Sequence, residues 1–372
     1  MRESNSCLLT RRGFAALRPP HLRMHGLGAE RVDFRDVNIP VSWAAMQYRS
    51  LGTTGIRISA ISFGAGPVPA LFTSAAAADR QLATVRAALD AGINWFDTAP
   101  TYGDGQSESS LGAVLSQLSP ASVHVATKVR LPAEELRDIP RFAAASVEAS
   151  LARLNRSQVT LLQLHNSITQ RRGDQPTSIT VDDILGPGGV AEAFSALRRQ
   201  GKAAHFGLTG LGDAPSLLEV LRSRAFETIQ VPYHLLNPSA GSHLVLAGSE
   251  ANYGNVIGEC ERLGMGVLGI RVFAGGALAG QPPGAHTRVT KFFPLAIYER
   301  DQRRAAALAA DLPAGLTLRE AALRFAIGHR GVSSALVGFS SPEQVGEAVA
   351  FAARGRLDPE LMGWLARRLP DD

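Results

Sequence analysis

Val123-His-Val-Ala-Thr-Lys128-Val129 is an apolar run carrying one ammonium near its end, and Thr160-Leu-Leu-Gln-Leu164-His165 is a second, closed by an imidazole. Between them, residues 141–154 repeat Ala144, Val147, Leu151 and Leu154 at steps of three and four. That spacing paints one face of a helix apolar. Strands that are apolar on successive residues are covered on both faces, and two of them joined through a helix run parallel.

The same unit recurs on either side. Candidate strands are Ile58–Phe63, Asn94–Asp97, Val123–Val129, Thr160–Leu164, Ala204–Leu208, Thr228–Val231, Gly266–Ile270 and Ala335–Val337. Amphipathic segments at 79–91, 191–200, 214–224, 250–263, 299–311 and 342–353 separate most of them. Eight such units in about 310 residues fit an α/β fold, a closed (β/α)8 TIM barrel. An open doubly wound sheet stays as the alternative, because a linear string does not show closure. Tyr48–Leu51 and Ile56–Ile58 flank the turn Gly52-Thr-Thr-Gly55 and read as an N-terminal β-hairpin.

The barrel is expected over 46–355, with 356–372 as a C-terminal tail. Residues 1–45 read as a disordered extension: Arg2, Arg11, Arg12, Arg18 and Arg23 face the single acid Glu3 within the first 28, with no sustained period. An Arg-rich, acid-poor leader also suits a transit peptide, and Met24 and Met46 are later start candidates. Of the 372 residues, 45% are hydrophobic and 19% charged, ample for a core. The net charge is only +5, and the lysines are Lys128, Lys202 and Lys291, with arginines scattered rather than gathered in a stripe. That pattern argues against a nucleic-acid reader. Two cysteines, Cys7 and Cys260, rule out a disulfide scaffold. With no run of about 18 apolar residues, no membrane span is expected. A cytoplasmic protein of a reducing compartment is the default reading.

Four residues sit at or just beyond the ends of three successive strands: Asp97, Tyr102, Lys128 and His165. In a barrel these ends converge on one mouth. An unpaired ammonium in an apolar strand is costly to bury, so Lys128 is expected to pair with Asp97 on the neighbouring strand. A cation beside a phenol favours the phenolate, and a tyrosine so tuned can act as general acid. His165 can hydrogen-bond a substrate carbonyl and orient it. Singly, each has a plainer reading: Asp97 as a turn cap, Tyr102 as a packed aromatic, His165 as a core histidine, Lys128 as a structural ion pair. Together they suit protonation of a carbonyl oxygen as hydride reaches the carbon.

The chain resembles the aldo-keto reductases from about Met46 to Gly355. The likeness rests on Gly92-Ile-Asn-Trp-Phe-Asp97-Thr-Ala-Pro-Thr-Tyr102-Gly, the strand ending in Lys128, Leu161-Leu-Gln-Leu-His165, Gly201-Lys-Ala, Gln230-Val-Pro-Tyr233 and Gly338-Phe-Ser-Ser-Pro-Glu-Gln344. It implies Tyr102 as proton donor, Lys128 and Asp97 tuning it, His165 orienting substrate, and a nicotinamide cofactor. For that cofactor the resemblance marks Thr209, where the family carries a Ser-Asn pair, and Gln230, a carboxamide contact. Arg271 stands near the place of a stacking aromatic. The late motif adds Gly338, Ser340 and Gln344, and Glu347 matches an acidic position at the adenine end. Basic residues that often grip a 2′-phosphate are missing at Gly338 and Gln344, so NAD and NADP stand level.

Gly264-Met-Gly266-Val-Leu-Gly269 satisfies G-x-G-x-x-G but enters a strand rather than a helix, and is set aside. Gly207-Leu-Thr-Gly210-Leu-Gly212 follows a strand and suits either a cofactor-facing turn or a plain one. No metal is expected: no His-x-His pair or Cys-His cluster occurs. Trp95 and Tyr233, with the loops 167–189 and 272–298, are candidate pocket walls. The expected activity is reversible hydride transfer between NAD(P) and a small aldehyde, ketone or sugar-like alcohol. The alternative is a cofactor-binding regulatory subunit with little turnover, for which 29–45, with Val41 and Trp43, is the candidate arm.

Overall fold

The turn at 52–55 folds a hairpin in which β1 (Tyr48–Ser50) pairs antiparallel with β2 (Arg57–Ser59), Tyr48 opposite Ser59. The computed structural model describes residues 46–74, 77–243 and 251–368. The extension expected over 1–45, with its candidate arm, lies outside the described residues. The run Ile58–Phe63 divides at Ala60: β2 belongs to the hairpin and β3 (Ile61–Gly64) to a second sheet. One apolar stretch thus serves two sheets, which is why it reads as a single strand.

Seven strands follow: β4 (Trp95–Asp97), β5 (His124–Val129), β6 (Val159–Leu164), β7 (Ala203–Thr209), β8 (Thr228–Pro232), β9 (Gly266–Ile270) and β10 (Ser334–Gly338). Each pairs in parallel with the next, and β10 returns to β3 with Ala335 beside Ile61. The sheet closes into an eight-stranded barrel, which removes the open-sheet alternative.

The helical cover begins with α1 (Ala78–Asp90), α2 (Gln106–Leu118), α3 (Ile139–Leu154), α4 (Val181–Leu185), α5 (Val190–Arg199) and α6 (Ala214–Arg222). It continues with α7 (Val256–Leu263), α8 (Ala285–Val289), α9 (Leu295–Ala310), α10 (Leu318–Gly328), α11 (Pro342–Ala353) and α12 (Pro359–Arg368). Helix α3 shows the local logic. Asp138 caps its start by accepting from the Arg141 N–H, and Asn155 ends it in the left-handed region at φ 53°. Its inward stripe is Ala143, Val147, Leu151 and Leu154, all buried. The stretch set apart as a tail, 356–372, contains α12, and Leu365 within it is 1% exposed against the main core. Packing therefore runs past Gly355. Among the described residues, no helix is long and apolar enough to cross a membrane.

Alternation along the strands sorts the barrel interior into layers. Trp95, Ala126, Leu161 and Leu268 pack together inside, on Leu51 and Ile58 from the hairpin. The hairpin closes that end tightly: a Cβ on Gly52, at φ +55°, would lie 2.3 Å from the Gly266 nitrogen. Two residues further along, the same faces carry Asp97, Lys128 and Gln163. Sequence spacing of two thus lifts polar groups one layer above an apolar plug. Trp95 is a plug residue rather than a pocket wall. Tyr233 is also a packing residue, stacked on Phe325 of α10 with ring centroids 4.8 Å apart.

Candidate active site

Asp97 ends β4 and is the hub of the barrel mouth. Its Oδ1 accepts from Lys128 Nζ at 2.5 Å. Its Oδ2 accepts from Gln230 Nε2 at 2.5 Å and from Gln163 Nε2 at 3.0 Å. Lys128 Nζ also donates to the Thr98 carbonyl at 2.8 Å. Asp97 and Lys128 are each 1% exposed, so a carboxylate and an ammonium are kept charged by direct pairing rather than by water.

Tyr102 hangs over this pair. The chain turns sharply after β4, with the Tyr102 N–H donating to the Ala99 carbonyl at 3.1 Å, and α2 starts just beyond. The turn brings the phenol ring to 4.8 Å from Lys128 Nζ, measured to the ring centroid. Burial works against the Lys128 charge, but Asp97 and the Tyr102 oxygen outweigh it and hold the Lys128 pKa above its ordinary value.

His165 follows β6, its N–H bonded to the Val129 carbonyl at 2.8 Å. Its ring meets the Tyr102 ring edge-on, with centroids 5.7 Å apart. Burial first, then the charges of Arg130 and Lys128, push the His165 pKa well below its ordinary value, so the imidazole is neutral near pH 7. The four residues singled out from the sequence therefore share one site. Trapped between a cation and a neutral imidazole, a phenol can give up a proton and have the resulting charge stabilised in place.

Arg130 escaped the sequence reading. Its Nη2 lies 3.3 Å from both ring nitrogens of His165. A strand-end arginine reads as a surface residue, but its position two residues after Lys128 puts it on the same side of the chain. That alternation was the available signal. Gln163 was also missed, although it stands two residues before His165 and on the same side.

The positions marked for cofactor lie towards the C-terminal ends of β7 to β10 or just past them, except Gln344 and Glu347, which are on α11. Thr209 and Gln230 are register partners on adjacent strands. Among the described residues the buried Thr209 Oγ1 has no hydrogen-bond partner. Gln230 already spends its Nε2 on Asp97. Arg271 follows β9, with Nη2 on the Phe292 carbonyl at 3.1 Å. Gly338 ends β10 against the Val68 carbonyl, 2.4 Å from where a Cβ would stand. Ser340 donates through N–H and hydroxyl to Gln344 Oε1, at 2.9 and 3.0 Å. Glu347 pairs with Arg319 at 2.8 Å. In the run Gly207–Gly212 the last glycine is pressed on Ile168.

The family model for the aldo/keto reductase family matches residues 60–366. The chain is 32% identical to an L-galactose dehydrogenase of Arabidopsis thaliana, over 82% of this chain and 88% of that protein. It is 29% identical to a D-threo-aldose 1-dehydrogenase of a Pseudomonas species, over 80% and 91%. Among solved structures, an aldo-keto reductase of Bacillus halodurans in its holo form superposes with a TM-score of 0.67 at 22% identity, covering 88% of this chain and 97% of that one.

Proposed function

The chain belongs to the aldo/keto reductase family and is an oxidoreductase, and on that premise we propose reversible hydride transfer between a nicotinamide cofactor, NAD or NADP, and a small aldehyde, ketone or sugar-like alcohol. The observation that carries the reading is the Lys128 ammonium held between Asp97 and the Tyr102 ring, beside a neutral His165. In the reducing direction the Tyr102 hydroxyl gives its proton to the substrate carbonyl oxygen. Lys128 stabilises the phenolate that remains, and Asp97 keeps Lys128 charged and aimed. His165 donates an N–H to the same oxygen and fixes its orientation. In the oxidising direction the phenolate takes the alcohol proton back.

A nicotinamide cofactor supplies or accepts the hydride in this scheme. The unpartnered Thr209 hydroxyl fits its carboxamide, with Gln230 beside it on the next strand. Arg271, Gly338 and Ser340, at or just past the ends of β9 and β10, and Gln344 and Glu347 on α11 are assigned the remainder of the cofactor on the strength of those places. The names of the two dehydrogenases above point the substrate toward sugars.

The test is Tyr102→Phe. Turnover should fall by about 10²–10⁴, the usual worth of a positioned proton donor. Cofactor affinity, read by fluorescence titration with NADH and NADPH, should hold. Wild-type turnover in this variant removes Tyr102 from the chemistry.

A further inference from the structure

Two guanidiniums flank one dipeptide at the barrel mouth. Arg130 lies over the Phe292 ring, with Cζ 4.7 Å from the centroid, and its fork touches the His165 ring at 3.3 Å. Arg271 lies over the Phe293 ring at 4.8 Å and donates to the Phe292 carbonyl at 3.1 Å. Among the described residues, neither meets a carboxylate. Arg153, Arg300 and Arg324, by comparison, meet the buried Glu108, Asp301 and Glu320, and the half-buried Arg49 is spent on the Ile327 and Val332 carbonyls. A half-buried guanidinium does not shed its proton, and aromatic faces and carbonyls compensate its lost water only in part. A guanidinium fork matches carboxylate and phosphate geometry.

We propose that Arg130, over Phe292 and against His165, forms a recognition site for an anionic group, carboxylate or phosphate, on the substrate, while Arg271 across Phe292–Phe293 keeps the cofactor role given above, so that the preferred substrate is an acidic aldehyde, ketone or sugar. This rests on the oxidoreductase reading above. The site adjoins His165, so the anion would sit about one side-chain length from the reacting carbonyl. His286 on α8 feels both charges: desolvation, then Arg130 and Arg271, lower its pKa.

The experiment compares matched pairs on the full chain: succinate semialdehyde with butanal, D-glucuronate with D-glucose, and D-glyceraldehyde 3-phosphate with D-glyceraldehyde. The wild type should favour the charged member by about tenfold or more in kcat/KM, the scale of a hydrogen bond to a charged group. Arg130→Met should erase most of that preference, chiefly through KM, and Arg130→Lys should keep part of it. Cofactor affinity should stay within about twofold in both variants. Equal kcat/KM within every wild-type pair overturns the proposal. So does an Arg130→Met variant whose cofactor affinity falls in step with its substrate preference, which would assign the charge to the cofactor's own phosphates. If no pair turns over, the oxidoreductase reading fails by itself. Calorimetric titration with D-glucuronate and D-glucose then decides the anion site: uronate binding lost in Arg130→Met supports it, and equal or absent binding ends it.

Discussion

Gln230 on β8 donates to Asp97 on β4 at 2.5 Å, across the width of the barrel. The resemblance assigns Gln230 to the cofactor, yet its amide nitrogen is bound to the carboxylate that holds Lys128. The floor of the proposed cofactor site is thus hydrogen-bonded directly to the carboxylate that holds Lys128. Gln163 supplies a second amide to that same oxygen at 3.0 Å. With Lys128 on Oδ1, three donors meet the two oxygens of Asp97, as suits a buried carboxylate.

Replacing either amide should therefore cost stability in similar measure. Gln163→Leu and Gln230→Leu each remove one hydrogen bond to a buried charge, worth about 1.5–3 kcal/mol. Urea unfolding reads this as a lower midpoint in both variants. Cofactor titration should then separate them, with weakened binding in Gln230→Leu and near-normal binding in Gln163→Leu. Equal loss of cofactor affinity would mean that Gln230 acts on the cofactor only through Asp97.

Lys128 gives a larger effect. Lys128→Met leaves Asp97 buried with no cation, and breaking a buried pair from one side costs about 3–5 kcal/mol. The double variant Asp97→Asn/Lys128→Met should recover part of that loss, since asparagine keeps an acceptor for the two glutamines without a charge. Chemical denaturation of the wild type, the single variants Asp97→Asn and Lys128→Met, and the double variant closes the cycle. A double variant less stable than Lys128→Met contradicts the pairing argument.

Strand β9 was legible to the residue, because Gly266–Ile270 is a bare apolar run between a helix end and a turn. Asp97 and Lys128 were legible because polar residues in apolar strands stand out. Helix α2 was not. It buries Ser107, Glu108 and Ser110, which blur any apolar stripe. Ser107 donates to the Ala65 carbonyl at 2.6 Å, and Glu108 receives Arg153 at 2.7 Å and the Thr127 hydroxyl. Helix α10 hides in the same way, with buried Glu320 paired to Arg324 and Arg354. Such faces are satisfied by partners far along the chain, which no local period reveals. Segment 250–263 lost its first turns for another reason: the helix starts at Val256, after Asn255 and Gly254 adopt positive φ.

The His165 environment predicts an acid limb in stability. Its folded pKa lies well below 6.5, pushed there by burial and then by Arg130 and Lys128. As pH falls past 6.5, the unfolded chain takes up a proton that the folded protein refuses. Stability contributed by the neutral ring is thus complete above that value and declines below it until the folded pKa is passed. The slope from this one group is at most about 1.4 kcal/mol per pH unit. His124, also pushed down by burial, adds in the same direction. Urea midpoints from pH 8 to 5 should fall below pH 6.5, and His165→Gln should flatten part of the fall. An unchanged slope in that variant would place the titration elsewhere.

Gly212 is the tightest backbone contact near the site. It holds φ +124°, and a Cβ there would stand 1.8 Å from the Ile168 carbonyl oxygen and 2.6 Å from its nitrogen. Two hydrogen bonds lock the approach: Ile168 N–H to Leu211 O at 2.8 Å, and Asp213 N–H to Ile168 O at 3.0 Å. Gly212→Ala must therefore part these loops as well as strain the backbone. The strain alone is about 1–3 kcal/mol, and the broken bonds add to it. Because Ile168 lies three residues past His165, and Gly212 three past Thr209, the displacement should reach both. Activity should fall alongside stability. Gly346 on α11 is the control: a Cβ there meets nothing, so Gly346→Ala should stabilise by up to about 1 kcal/mol through better helix propensity. Thermal or urea unfolding of the two variants should move in opposite directions. A Gly212→Ala protein as stable as the wild type would show that these loops yield freely, and that His165 is not held by this contact.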